Sequence, residues 1–171
     1  MADVSMFLVA LAVLLLVYAA VHDVAVRTVP NWISGLILLS GVGLRIADHS
    51  LLTSLAAVLV LFLFLFGVWL AGLMGGGDVK LWAASAFLVP PSWQAMLFFV
   101  ANTLLIGGIL AVVYILMSFV VPSPAASRAG SCFRRFLRAE RWRISRRAAL
   151  PYACAIAGGV CTVLFPRIFQ T

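Results

Sequence analysis

Apolar residues run along this chain in long unbroken blocks, and polar residues gather in the short gaps between them. The blocks predict helices over about 5–21, 32–47, 51–73, 79–90, 93–121 and 149–165. None of them alternates apolar and polar positions as the strands of a membrane barrel do, and a helix satisfies its own backbone in lipid. At 1.5 Å per residue, runs of 17 to 23 residues reach about 25–35 Å, enough to cross a bilayer core. The expected fold class is therefore an all-α polytopic membrane protein with six transmembrane helices, forming a single membrane-embedded domain over 1–171.

The fourth block is the exception. From Val79 to the Pro90-Pro91 pair it has only twelve residues. Two geometries fit: a short full crossing, or a re-entrant hairpin that returns to its starting side. A short crossing would thin the bilayer around it or tilt its neighbours.

Charge distinguishes the two. Residues 122–148 hold eight arginines (Arg128, Arg134, Arg135, Arg138, Arg141, Arg143, Arg146 and Arg147) against one acid, Glu140. Such a stretch stays cytoplasmic. With six crossings the loops 22–31, 74–78 and 122–148 all face the cytoplasm, and both termini lie on the outer (periplasmic) side. Together with Lys80 these regions carry ten of the twelve basic residues, leaving Arg45 and Arg167 outside. A re-entrant fourth segment would send the arginines outward, so a short crossing is expected. The arginine stretch itself reads as a topology determinant touching anionic lipid headgroups. Phe133, Phe136, Leu137, Trp142 and Ile144 within it suit a helix lying on the membrane surface. No nucleic-acid module accompanies it.

Composition agrees with this picture: 65% of residues are hydrophobic, 10% are charged, and the mean hydropathy is +1.18. A water-facing domain needs far more charge. The first block lacks the basic region of a secretory signal, so a retained first helix is expected. Cys132, Cys154 and Cys161 have no metal-ligand spacing; Cys154 and Cys161, seven apart, fit one face of a single helix as apolar filler.

Only five carboxylates exist, and they separate cleanly. Asp3 is terminal, Glu140 sits among arginines, and Asp48 belongs to a short outer turn where a solvated acid is ordinary. Asp23, at the end of the first helix in "VHDVAVRTVPN", and Asp78, after Gly75-Gly76-Gly77, fall at the same membrane depth. Two close carboxyls share a proton, because ionising both is unfavourable. One can take a proton from water while the other polarises a peptide carbonyl, giving hydrolysis without metal or covalent intermediate. Glycines beside Asp78 allow close approach and positive φ. A structural reading stands beside this one: Asp78 as the cap of the next helix, and Asp23 paired with Arg27. The residues alone leave both open. His22 reads as an interfacial histidine, and no HExxH, GxSxG or cysteine–histidine pairing points to another catalytic class.

At these positions the chain resembles the type IV prepilin peptidases, the GxGD class of membrane aspartic proteases, and within them the short TadV/CpaA form of the tight-adherence (Flp) pilus system. Gly75-Gly76-Gly77-Asp78 with Val79-Lys80-Leu81 fits the family's GxGD-x-K signature. Asp23 with Arg27 and Pro30-Asn31 fits its "D…R..IPN" segment, with Val29 in place of isoleucine. Pro151-Tyr152, Ala155-Ile156 and Gly158-Gly159 fit the "PY..AI..G" start of the last helix.

The resemblance implies that Asp23 and Asp78 are the catalytic dyad. Gly75, Gly76 and Gly77 would shape the site, with Lys80, Arg27, Pro30 and Asn31 as supporting residues. It implies a prepilin or pseudopilin substrate cut beside its hydrophobic helix, partners in the pilus assembly machinery, and the bacterial inner membrane as location, with the active site facing the cytoplasm. No cofactor or metal is implied. Longer family members carry an N-terminal domain with zinc-binding cysteine pairs and N-methylate the new terminus. Here the first helix begins at once, so cleavage without methylation is expected. Two other classes remain to be weighed: a non-catalytic scaffold of a pilus or secretion assembly, and a small proton or cation carrier. Presenilin-like proteases also use GxGD, but their first aspartate lies deep in a helix rather than beside "VPN".

Overall fold

The computed structural model describes residues 2–120, 141–142 and 150–168. Among them the helices run in the order α1 (Ala2–Val26), α2 (Asn31–Ala47), α3 (Leu51–Leu70), α4 (Gly76–Ala86), α5 (Trp93–Val120) and α6 (Tyr152–Ile168), with no strand. Each predicted block has its helix. Most of the arginine-rich 122–148 stretch, including Glu140, Cys132 and its proposed surface helix, lies outside the described residues.

Three of these helices, α1 from Val4, α3 and α5, are long and apolar enough to cross a membrane; α2 and α6 are shorter apolar helices. Large apolar side chains stand exposed along α1, α3 and α5, among them Leu14, Leu52, Val60, Leu105 and Val120. A water-soluble fold would bury such residues; here they form the face that lipid covers.

The fourth helix departs from expectation in an instructive way. It does not stand in lipid as a short crossing that strains the bilayer. Residues 81–89 are all buried, because α4 packs against α2, α3 and α6 at the centre of the bundle. A helix wrapped by protein has no bilayer thickness to match. Small residues Ala83, Ala84, Ser85 and Ala86 let its neighbours come close. Gly41 of α2 faces Phe87, where an added Cβ would fall 2.6 Å from the Phe87 Cβ. The Ser85 hydroxyl donates to the Leu81 carbonyl at 2.7 Å and so is satisfied inside the helix. Pro90 and Pro91 end the segment, since neither supplies an N–H to continue it.

The other tight packing joins α5 to α6 through glycines. A Cβ on Gly107 would lie 2.9 Å from the Tyr152 ring, and one on Gly158 would lie 2.8 Å from Ile106. Without a hydrophobic driving force between helices in lipid, this close approach is what holds such a pair together.

The connecting turns show where positive φ is needed. Helix α3 ends in a Schellman motif: Gly72, at φ 72°, donates to Trp69 and Leu73 donates to Val68. Helix α2 ends the same way with His49 at φ 53°, donating to Ile46 while Ser50 donates to Arg45. Gly72 is thus the left-handed glycine of the α3–α4 connection. Gly75, at φ −71°, is not, and none of Gly75, Gly76 and Gly77 has positive φ.

That α2–α3 turn also corrects the reading of Asp48 as a merely solvated acid. Its Oδ2 pairs at 3.3 Å with Nη1 of Arg45, whose side chain is only 1% exposed. Arg45 is therefore a buried, partnered cation inside the turn rather than a loose outer charge.

Candidate active site

Asp23 lies one turn before the end of α1, not after it, since the helix continues to Val26. It is buried, 5% exposed. Its Oδ2 accepts a hydrogen bond from the backbone N–H of Ala153 at 3.1 Å. Ala153 is the second residue of α6, where backbone donors have no partner within their own helix. The start of the last helix thus supplies the donor that holds the first acid. Beside this contact the Cys154 thiol leans on the Ala20 carbonyl, with its sulfur 3.7 Å away. Cys154 and Cys161 both lie on α6 as unbridged, half-buried thiols.

Asp78 is the third residue of α4, not its cap. Gly75 occupies the cap position, and its carbonyl accepts from the N–H groups of Asp78 and Val79. The carboxyl precedes the apolar run of the fourth segment and is outside the three long spans. Partial burial pushes its pKa from 3.8 up to about 6, and the negative charge of Asp23 adds to the rise. The two acids are therefore close enough to oppose each other's ionisation.

Each glycine ahead of Asp78 has its own local surroundings. A Cβ on Gly75 would crowd the Asp78 carboxylate, 3.1 Å from Oδ2. One on Gly76 would press the Trp69 indole nitrogen at 3.2 Å, whereas one on Gly77 would meet nothing within 4 Å. Gly77 itself is exposed.

Aromatic rings line the inner side of this corner. Trp82, one helical turn beyond Asp78, meets the Tyr152 ring with centroids 5.7 Å apart. Tyr152 lies within electrostatic reach of Asp78 and fills the space left by Gly107 on α5. Helix α6 therefore holds Asp23 through Ala153 and carries Tyr152 within electrostatic reach of Asp78. Sequence reasoning used Pro151-Tyr152 only as a pattern match. The free first-turn donors that follow a helix-starting proline were the physical signal for this contact.

The remaining site candidates brace the turns around the acids. Arg27, at φ 62° where α1 ends, donates from Nη2 to the Tyr114 hydroxyl at 3.2 Å, and its guanidinium lies 5.4 Å from the centre of that ring. It ties α1 to α5. Pro30 caps α2, and Asn31 Oδ1 accepts from Lys80 Nζ at 3.4 Å, linking the α1–α2 turn to α4. His22 Nδ1 lies 2.7 Å from the Thr28 carbonyl, so that nitrogen is the donor and the ring braces the same turn. Among the described residues no group of three or more His, Cys, Asp or Glu side chains is arranged to hold a metal ion.

Comparison with known proteins follows the same lines. No curated protein and no solved structure matches the chain. The model of the type IV leader peptidase family matches residues 10–112, which include Asp23, the glycines and Asp78 and stop short of α6. With its apolar helices, that makes the chain a multi-pass membrane protein of a protease family. It belongs to the type IV leader peptidase family.

Proposed function

We propose that the chain is a membrane aspartic endopeptidase of the GxGD type that removes the basic leader from prepilins or pseudopilins, and that Asp23 and Asp78 are its catalytic pair. The observation that carries this is the buried Asp23 carboxyl held by the start of α6, within electrostatic reach of Asp78 at the start of α4. Asp78, whose raised pKa eases its protonation, carries the shared proton in the active form and donates it to the scissile carbonyl oxygen. Asp23, held by Ala153, takes a proton from the attacking water. The water oxygen bonds to the carbonyl carbon; the peptide C–N bond then breaks as Asp23 passes its proton to the leaving amine and Asp78 takes a proton back from the diol.

In this reading the enzyme is of the short TadV/CpaA type and cleaves without N-methylation. It crosses the bacterial inner membrane six times, with the acids and the arginine-rich stretch at the cytoplasmic face. That stretch contacts anionic headgroups, and the pilus assembly machinery receives the product. The pairing of buried Asp23 with charge-coupled Asp78 favours catalysis over a scaffold, because a scaffold gains nothing from two mutually repelling acids.

The deciding experiment co-expresses the protein with a Flp-type prepilin and measures the prepilin's mass. Loss of the leader with the wild type, and its retention with Asp23→Asn or Asp78→Asn, is the expected result. An unmethylated product terminus is expected as well. Full cleavage by both variants would overturn the aspartic mechanism and return the scaffold.

A further inference from the structure

A groove of about 400 Å³ runs between α2, α3 and α4, on the side of α4 away from the acids. Its α4 wall is Lys80, Ala83, Ala84 and Phe87, one stripe at helical spacing. Asp78, two residues before Lys80, falls about 200° around the helix from it. The groove is therefore a separate site from the acid corner.

Its shape selects the occupant. Asn31 to Leu38 on α2, Leu55 to Phe62 on α3 and Lys80 to Phe87 on α4 each contribute two helical turns, roughly 10 Å of length. The groove's length and apolar lining suit an extended acyl chain. Gly35 keeps it open, since a Cβ there would meet nothing within 4 Å. The walls are apolar apart from one end, where Asn31, Ser34 and Lys80 gather.

Depth and charge complete the assignment. At that polar end Trp32 is 55% exposed, and its ring sits 5.9 Å from Tyr18, which in turn lies 6.0 Å from His22. Exposed amphipathic rings of this kind sit at headgroup level. Lys80 is exposed there, and its partner among the described residues is the neutral amide of Asn31. We infer that this groove is a binding site for one anionic phospholipid, with an acyl chain lying between α2 and α3 over Ala83 and Ala84 and the phosphate held by Lys80 and the Asn31 amide.

The test is native mass spectrometry of the detergent-purified full chain, offered phosphatidylglycerol and phosphatidylcholine of the same acyl composition. It needs no cleavage activity, so its outcome is independent of the peptidase reading. One tightly held lipid is expected, with about fivefold preference for phosphatidylglycerol, the worth of one lysine near a membrane surface. Lys80→Gln abolishes the preference but keeps the adduct, whereas Gly35→Leu fills the slot and removes the adduct with helix content unchanged. The arginine-rich stretch also attracts anionic headgroups but does not depend on Gly35, so adducts that survive Gly35→Leu unchanged would overturn the site. So would displacement of both lipids alike by a synthetic prepilin hydrophobic segment, which would give the groove to a peptide instead.

Discussion

Asp78 has a cost to the fold that its neighbours make measurable. A carboxyl whose folded pKa is about 6, against 3.8 in the unfolded chain, binds protons more readily when folded. Its favourable contribution is complete below pH 3.8 and is lost as pH rises through about 6. Asp78→Asn is therefore expected to raise the melting temperature in detergent at pH 8 while abolishing cleavage, and the gain should vanish near pH 4. An unchanged or lower melting temperature at pH 8 would mean that the acid is stabilised by contacts outside this account. The adjacent glycines separate steric effects on the acid from effects on substrate. Gly75→Ala pushes directly on Asp78 Oδ2 and should cut the cleavage rate tenfold or more, about 1.4 kcal/mol in the barrier. Gly77→Ala meets no protein atom, so its melting temperature should match wild type, and any fall in rate reports the passage of substrate. Equal effects of the two substitutions would remove that distinction. The sequence made both acids stand out because carboxylates are so scarce in it. It marked Ala153 only as a free first-turn donor, not as the partner of Asp23 across 130 residues. Nor did it reveal the burial of Arg45, since a basic residue near a predicted outer turn looks like a solvated one.

At the scale of the element, hydrophobic blocks located α1 to α6 because each is set by composition over many residues. Their ends were less legible. Helix α1 extends five residues past its predicted end, since His22, Asp23 and Arg27 look like loop residues until Ala153, Thr28 and Tyr114 provide their partners. Helix α4 reaches back through two glycines, which are poor helix formers, because the Gly75 carbonyl anchors its first turn. Its central position was not readable at all: a mostly apolar segment of twelve residues looks the same whether lipid or protein surrounds it. The α5–α6 contact offers a test at this scale. Gly107→Ala forces the Tyr152 ring aside, and overpacking of this kind costs about 1–3 kcal/mol. Because that ring lies beside Asp78, the rate should fall further than Gly108→Ala, where a Cβ would meet nothing within 4 Å. Matching melting curves and rates for the two variants would show that the ring is free to move.

For the whole molecule, burial of α4 separates two questions that the sequence had joined: whether the segment crosses, and whether lipid must accommodate it. The proposed topology puts residue 28 and residue 75 on one side and residue 49 on the other. Cysteines introduced there, in a background lacking the native three, should react accordingly with a membrane-impermeant maleimide in intact cells. Labelling at residue 75 but not at residue 49 would invert the arrangement.

The bond between Ala153 and Asp23 has one more consequence, and it concerns time. The first acid leaves the ribosome early, in α1, while the group that fixes it belongs to α6, made 130 residues later. Until α6 is synthesised and docked, both aspartates are in the membrane but the corner they share is unfinished. On the proposed function, the nascent protein is expected to be inactive until then, with chain order in place of a removable propeptide. Cutting the gene within the codons for residues 122–148 should give a first fragment that inserts and does not cleave. Co-expressing the second fragment should restore cleavage without any peptide link, and activity in the first fragment alone would show that the last helix is dispensable.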